Sequence, residues 1–396
     1  VPDVPFSPWT PPTHGDTGWD TAVNTAMAGI AARINNLEGA LGVPLDSFTG
    51  VSDDAKLAAA MSYAAAQTYP PPILLGRRAH TFTSGPYNLY NGFRLIGSPV
   101  TGEREFSSTG PQTVATISST SFLTVPSGGV KNGTIRGIQF RASSGTVDWL
   151  TQVSDLASGP IINDFDFWDL AWVGFRTIMR ARHLRCSIER TYINNGTQTQ
   201  FYLGGSDNYY WMTGRSYMSS TALPVSQYYL RFGSMSDTKV GPMYITPQVA
   251  TGVRIDGGAG DLQFWGTRFD CTGRNSSTGC QGAALYITAG TGHQFHDCWF
   301  FNNAVNPSGT GRGDKGQVWI TGGNEILFEN CAWSGGATRT GMATPSGTPA
   351  IYAASGASGV KVVSPMAPAS GTKLLQHQTS GVISKYAADD WTLSVA

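Results

Sequence analysis

Between residues 253 and 333 one pattern of apolar and polar positions is written three times. Val253-Arg254-Ile255, a glycine-rich turn and Phe264-Trp265-Gly266-Thr267-Arg268-Phe269 form the first copy. Leu285-Tyr286-Ile287 with Phe295-His296-Asp297-Cys298-Trp299-Phe300 form the second, and Val318-Trp319-Ile320 with Phe328-Glu329-Asn330-Cys331-Ala332-Trp333 the third. Each unit predicts a short alternating strand, a tight turn and a second short strand, and copies recur about every thirty residues, a period that marks solenoids. The apolar period is two and Gly and Thr are dense, so this region is not helical.

The second strand has the form apolar-x-x-small-x-apolar, and the same form runs backwards through Ile135–Phe140, Phe167–Trp172, Ile188–Ile193 and Val240–Ile245, with a weaker copy near Trp211. Alternation puts the apolar and small positions on one face. Ile138, Leu170, Thr191, Met243, Thr267, Cys298 and Cys331 are therefore expected to stack inside a coil. Strands that pair in register with their own next turn make an all-β parallel solenoid, in which each turn buries its apolar face only against neighbours. Ile351–Pro365 and Leu374–Tyr386 read as final, degenerate turns, and the alternation of Trp391, Leu393 and Val395 reads as a closing strand.

The period changes near the N-terminus. Residues 1–19 carry five prolines and predict an extended arm. Val23, Met27, Ile30, Ile34, Leu37 and Leu41 then follow heptad spacing, ended by Gly42 and Pro44. With Met27, Ile34 and Leu41 at a, the β-branched residues at d favour trimers over parallel dimers. The competing reading of this segment is an amphipathic helix lying on its own solenoid, and Gly29 and Gly39 weaken it as a free coiled coil. Next come Phe48 to Asp54, an Ala-rich helix to about Tyr69, Pro70-Pro71-Pro72, and short strands at 73–75, 80–83 and 93–96. This order suits a plug over the open first turn, since solenoid ends expose apolar surface and unpaired edges. The chain thus divides into an arm (1–19), a trimerising helix (20–45), a cap with the first turns (46–110) and the coil proper (111–396).

Composition narrows the function classes. Charged residues are 13% of the chain, with formal net charge zero, so no basic face for nucleic acid is implied. No stretch approaches the length of a membrane span, and no basic segment followed by an apolar run opens the chain, so neither membrane insertion nor an export signal is expected. Five cysteines show no metal-ligand spacing. Cys298 and Cys331 read as a ladder of small buried thiols, and Cys271 and Cys280 as a pair for a disulfide only in an oxidising compartment; assembly in a reducing cytoplasm is the expectation. No cofactor is implied.

Two stretches carry a resemblance. Gly50-Val51-Ser52-Asp53-Asp54-Ala55-Lys56-Leu57 before a short helix, followed by Tyr87-Asn88-Leu89-Tyr90-Asn91-Gly92-Phe93-Arg94-Leu95-Ile96-Gly97, resembles the opening of the pectate-lyase-like right-handed β-helix superfamily, which includes phage tailspikes and polysaccharide lyases and hydrolases. The Pro/Trp arm and heptad helix of residues 1–45 are similar to the N-termini of minor tail or tail-fibre proteins of phages that infect actinobacteria. Together these imply a homotrimeric phage tail appendage, joined to other tail proteins through 1–45 and presenting its coil to host cell-envelope polysaccharide. On the same fold a glycan depolymerase is the alternative, since fold does not decide function.

Candidate chemistry lies on outward positions. One row reads Arg136, Trp168, Glu189, Gly241, Trp265, His296 and Glu329, and another Gln139, Ala171, Tyr192, Tyr244, Arg268, Trp299 and Ala332. Trp168, Tyr192, Tyr244, Trp265 and Trp299 are candidates to stack on sugar rings, and the same residue types suit a subunit interface. Glycan hydrolysis needs two carboxylates about 5–9.5 Å apart. Asp166, Asp169 and Glu189 are the catalytic candidates, with Asp164 nearby, and Glu329 beside His296 and Asp297 forms a second cluster. Pairing of those acids with Arg182, Arg185 or Arg190 is the bland alternative. The carboxylate cluster for calcium that a lyase uses is not evident, nor is a serine-nucleophile or phosphate-loop pattern.

Overall fold

The computed structural model describes residues 42–97, 113–152, 156–194, 196–210, 217–220, 228–247, 251–270, 283–301, 317–334, 350–364, 375–377, 384–386 and 393–395. The arm, the heptad residues Val23 to Leu41, and Cys271 and Cys280 lie outside these.

The chain is a parallel β-helix: every pairing between the described strands is parallel, and each strand pairs with the corresponding strand one turn on. Three faces result. The first carries the ladder in which Val240, Phe264, Phe295, Phe328 and Val362 lie level on successive turns. The second holds Phe140, Trp172 and Ile193, then Ile245, Phe269, Phe300 and Trp333. Leu230, Val253, Leu285, Val318 and Ile351 stack on the third. All are buried, and the rings stack along the axis: Phe264 on Phe295 and Phe295 on Phe328 at 4.9 Å each, Phe269 on Phe300 at 4.7 Å. Such rows bury apolar area only against the next turn, which is why in-register repetition stabilises the coil.

The expected inner row is present. Ile138, Leu170, Thr191, Met243, Thr267, Cys298 and Cys331 are all buried. It lies beside a corner made by one residue per turn, where Gly137, Asp169, Arg190, Gly266, Asp297 and Asn330 have φ between 49° and 68°. A second such corner, between the third and first faces, carries Asn132, Asp164, Arg185, Asp207, Asp237, Asp261 and Glu325. Left-handed backbone tolerates Gly, Asn and Asp best, so the polar and acidic residues here are turn chemistry first. The arginines at these corners are less suited to that backbone, and each pairs with the corner aspartate of the preceding turn: Arg185 with Asp164 at 2.9 Å, Arg190 with Asp169 at 3.4 Å.

The start of the coil explains the Gly50-to-Leu57 stretch. Ser52 caps helix α1 (Asp53–Ala65) by accepting from the Ala55 amide, and Leu57, Ala60, Met61 and Ala64 face the core. Asp53 and Asp46 grip Arg78. Asp54 accepts from the Thr83 and Ser84 amides and from the Thr83 and Tyr87 hydroxyls, tying α1 to the next turn. Val43–Pro44 pairs with Ile73–Leu74, so α1 is an insertion between the first two described turns rather than a plug preceding them. At the other end, Leu375–His377 pairs with Leu393–Val395, so winding extends to the C-terminal strand.

Candidate functional site

Two groups of candidate residues sit on the outside of the first face and its corner. In the lower group, Arg136, Trp168 and Glu189 are level on three turns. Asp166 accepts from the Ser187 hydroxyl at 2.6 Å. Asp169 is at the left-handed corner, its side chain 3% exposed and ion-paired with Arg190, whose guanidinium lies 5.2 Å from the centre of the Trp168 ring. Asp164 is held by Arg185. The structure thus brings Trp168, Asp169 and Arg190 into one packed unit. Asp166 and Glu189 remain on the outer surface, one turn and two residues apart along the strands.

The upper group is better ordered for binding. Trp265, His296 and Glu329 are level on successive turns. The indole of Trp265 stacks on the His296 ring at 4.1 Å and 16°, and His296 Nδ1 and Glu329 Oε2 are 2.8 Å apart. Gln294, also outward, reaches His296 Nε2 at 3.1 Å. Around the corner Trp299 is level with Arg268, and the Arg268 guanidinium lies 4.9 Å from the Tyr244 ring centre. Trp265 is 37% and Trp299 49% exposed, whereas Trp149, Trp172 and Trp333 are fully buried. Two large rings are thus left in water beside a set of amide, imidazole, carboxylate and guanidinium groups. Tyr192 is level with Ala171 on the lower turns and does not join this group. Among the described residues no group of three or more acids, His or Cys is placed to hold a metal ion.

Sequence reading missed a third outer row, on the third face: Arg180, Tyr202, Arg231, Arg254, Tyr286 and Trp319. Its signal was present, since the middle residue of Val253-Arg254-Ile255, Leu285-Tyr286-Ile287 and Val318-Trp319-Ile320 must face outward when its neighbours face in.

No family model matches the chain, and no curated protein matches it. Among solved structures, the catalytic domain of a GH87 α-1,3-glucanase in complex with nigerose is similar at TM-score 0.48 and 12% identity, covering 86% of this chain and 68% of that one. The A-module of the Azotobacter vinelandii mannuronan C-5 epimerase gives 0.45 and 10% identity, covering 89% and 99%. Tailspike protein 3 of bacteriophage CBA120 gives 0.36 and 11% identity, covering 89% and 59%. Identities this low transfer no residue role.

Proposed function

We propose that the chain is a glycan-binding β-helix serving as a phage tail appendage, homotrimeric, attached to other tail proteins through residues 1–45 and turned toward the polysaccharide of the host cell envelope. It is then a virion component, assembled in the host cytoplasm. The observation that carries the binding reading is the exposed Trp265 ring, braced by His296 and Glu329, with exposed Trp299 around the corner. Flat sugar faces stack on such rings, and the adjoining polar groups suit hydroxyl recognition. The tail role is supported by the resemblance of the Gly50-to-Leu57 stretch and of the Pro/Trp arm.

The second reading, a depolymerase, is kept by one observation: Asp166 and Glu189 share an outer surface one turn apart. Burial and the Arg190 pair argue against Asp169 as an acid that meets a substrate. Binding without turnover is therefore the reading adopted.

Incubating the full chain with purified envelope polysaccharide from candidate hosts separates the two. Retention without new reducing ends, lost in Trp265→Ala and Trp299→Ala, is the expected result. New reducing ends that vanish in Glu189→Gln would establish the depolymerase instead, and no retention on any envelope glycan would sink both.

A further inference from the structure

At the corner between the third and first faces, Asp207, Asp237 and Asp261 lie level on successive turns, all exposed and all with left-handed backbone. Earlier on the same corner the charges neutralise each other, Asp164 pairing with Arg185. No ion pair among the described residues reaches the three aspartates above them. The left-handed turn accounts for the backbone, but Asn or Gly would serve it as well without charge. Three like charges level on strands about 4.8 Å apart repel one another, so the charge itself calls for a counter-charge from elsewhere.

The third face carries the opposite sign on the same turns. Tyr202, Arg231 and Arg254 are level there, on the turns of Asp207, Asp237 and Asp261 respectively, with exposed Arg180 one turn before. Asp256 accepts from the Nε of both Arg231 and Arg254, so two guanidiniums share one carboxylate and the stripe stays positive. Stacking holds its flat groups in place: Arg231 lies 4.3 Å from the Tyr202 ring centre, Arg254 5.5 Å from that of Tyr286, and Tyr286 stacks on Trp319 at 4.6 Å. Arg, Tyr and Trp are the residue types enriched where proteins meet. A positive and a negative stripe thus run side by side along the coil, and within the chain no described ion pair joins them.

We propose that the two stripes meet between copies of the chain: the acidic corner of one coil lies along the arginine stripe of the next, Asp237 against Arg231 and Asp261 against Arg254. Rotation about an axis parallel to the coil keeps every copy at the same height, so residues of one turn meet residues of the same turn and the match of signs repeats along the contact. A twofold axis across the coils would instead set each stripe on its own copy, arginine against arginine. Charge therefore selects parallel coils in one register. That there are three rests on the homotrimer reading above.

Light scattering of the full chain in a dilution series, at a fixed urea concentration that begins to dissociate it, tests this. Asp207→Asn, Asp237→Asn and Asp261→Asn together keep a residue suited to the left-handed corner, so the coil should fold unchanged, with the same circular dichroism. The trimer of this variant should dissociate at about tenfold higher concentration, and salt should weaken the unaltered trimer more than the variant. Arg231→Gln keeps a donor for Asp256 and should weaken the trimer about threefold; combined with Asp237→Asn it should weaken it little further, because both changes remove the same pair. A trimer indifferent to the triple change, or penalties of Arg231→Gln and Asp237→Asn that add in full, would overturn the proposal and leave the homotrimer standing. A chain that is monomeric without urea at every concentration would sink the homotrimer reading and this contact with it.

Discussion

His296 Nδ1 and Glu329 Oε2 stand 2.8 Å apart on neighbouring turns of the coil, and the same imidazole covers one face of Trp265. A half-exposed indole on a flat sheet would sample several rotamers. Stacked on a ring that is itself tied to a carboxylate, it loses less entropy when a ligand arrives.

The consequence for binding is graded. Trp265→Ala should weaken retention on the envelope glycan by about threefold to tenfold, the range expected for loss of one stacking partner. Glu329→Ala should weaken it less, because the carboxylate only braces the imidazole and one partly exposed hydrogen bond contributes little by itself. Quantitative retention assays decide the order. Glu329→Ala costing more than Trp265→Ala would show that the carboxylate meets the ligand directly.

Acid should destabilise the coil well before its carboxylates protonate. Burial holds His183 down to about pKa 3 and His293 to about 4, against about 6.5 in an unfolded chain. Below pH 6.5 the unfolded state takes up protons that the folded state refuses, so the contribution of each histidine is whole above that pH and is lost as pH falls. Each costs at most about 1.4 kcal/mol per pH unit. Urea midpoints should drop steadily between pH 6.5 and 4.5, and His183→Gln, which keeps a partner for the Tyr210 hydroxyl, should reduce the slope by about a third to a half, since burial also holds His80 below its ordinary value. Asp46 and Asp54 act only at lower pH. Arg78 lowers the pKa of Asp46; burial raises that of Asp54, but the Tyr87 hydroxyl and the Ser84 and Thr83 amides outweigh it. Their stabilisation is present above the ordinary carboxylate range and fades as pH falls through their lowered values. A flat profile from 6.5 to 4.5 would contradict the buried placement of both imidazoles.

Cys298 and Cys331 are buried at equivalent positions on adjacent turns, and burial raises the Cys298 thiol well above its ordinary range. Neither should react with a maleimide in the native protein, and both should after denaturation. Cys298→Arg puts an unpaired charge into the inner row and should cost about 3 kcal/mol or more, read as a shift in the urea midpoint. Prompt native labelling of either thiol would show the strand register to be wrong by one residue.

The coil was legible because its signal is repetition: Phe264, Phe295 and Phe328 recur at one place in one pattern, and the inner row could be named residue by residue. The acids were less legible, because alternation tells inside from outside but not strand from corner. Asp169, offered as a catalytic acid, stands two residues after the inward Phe167, where alternation allows the start of a turn; the left-handed corner is there, and its side chain packs beneath Arg190. Asp54 shows the same limit. Its place in Ser52-Asp53-Asp54 reads as helix capping, whereas its carboxylate holds the loop that starts the next turn, a contact some thirty residues away that no local pattern contains. The arginine and tyrosine row of the third face is written in the same alternation, in the first strand of each repeat.

The last prediction concerns assembly. Val23, Met27, Ile30, Ile34, Leu37 and Leu41 keep heptad spacing with β-branched residues at d, which favours three strands, but two glycines fall within this short run. Heptads this few are marginal alone, so in the trimer proposed above contacts between coils are expected to share the work. Removing residues 1–42 should therefore weaken a trimer rather than abolish it, seen by light scattering as a mass that falls toward the monomer on dilution while the intact chain stays trimeric. If the shortened chain holds its trimer at every dilution, the faces of the coil alone hold the subunits together and the heptads serve attachment only. If it is monomeric at all concentrations, the heptads carry the whole assembly and the outer rows of the coil are left free for glycan.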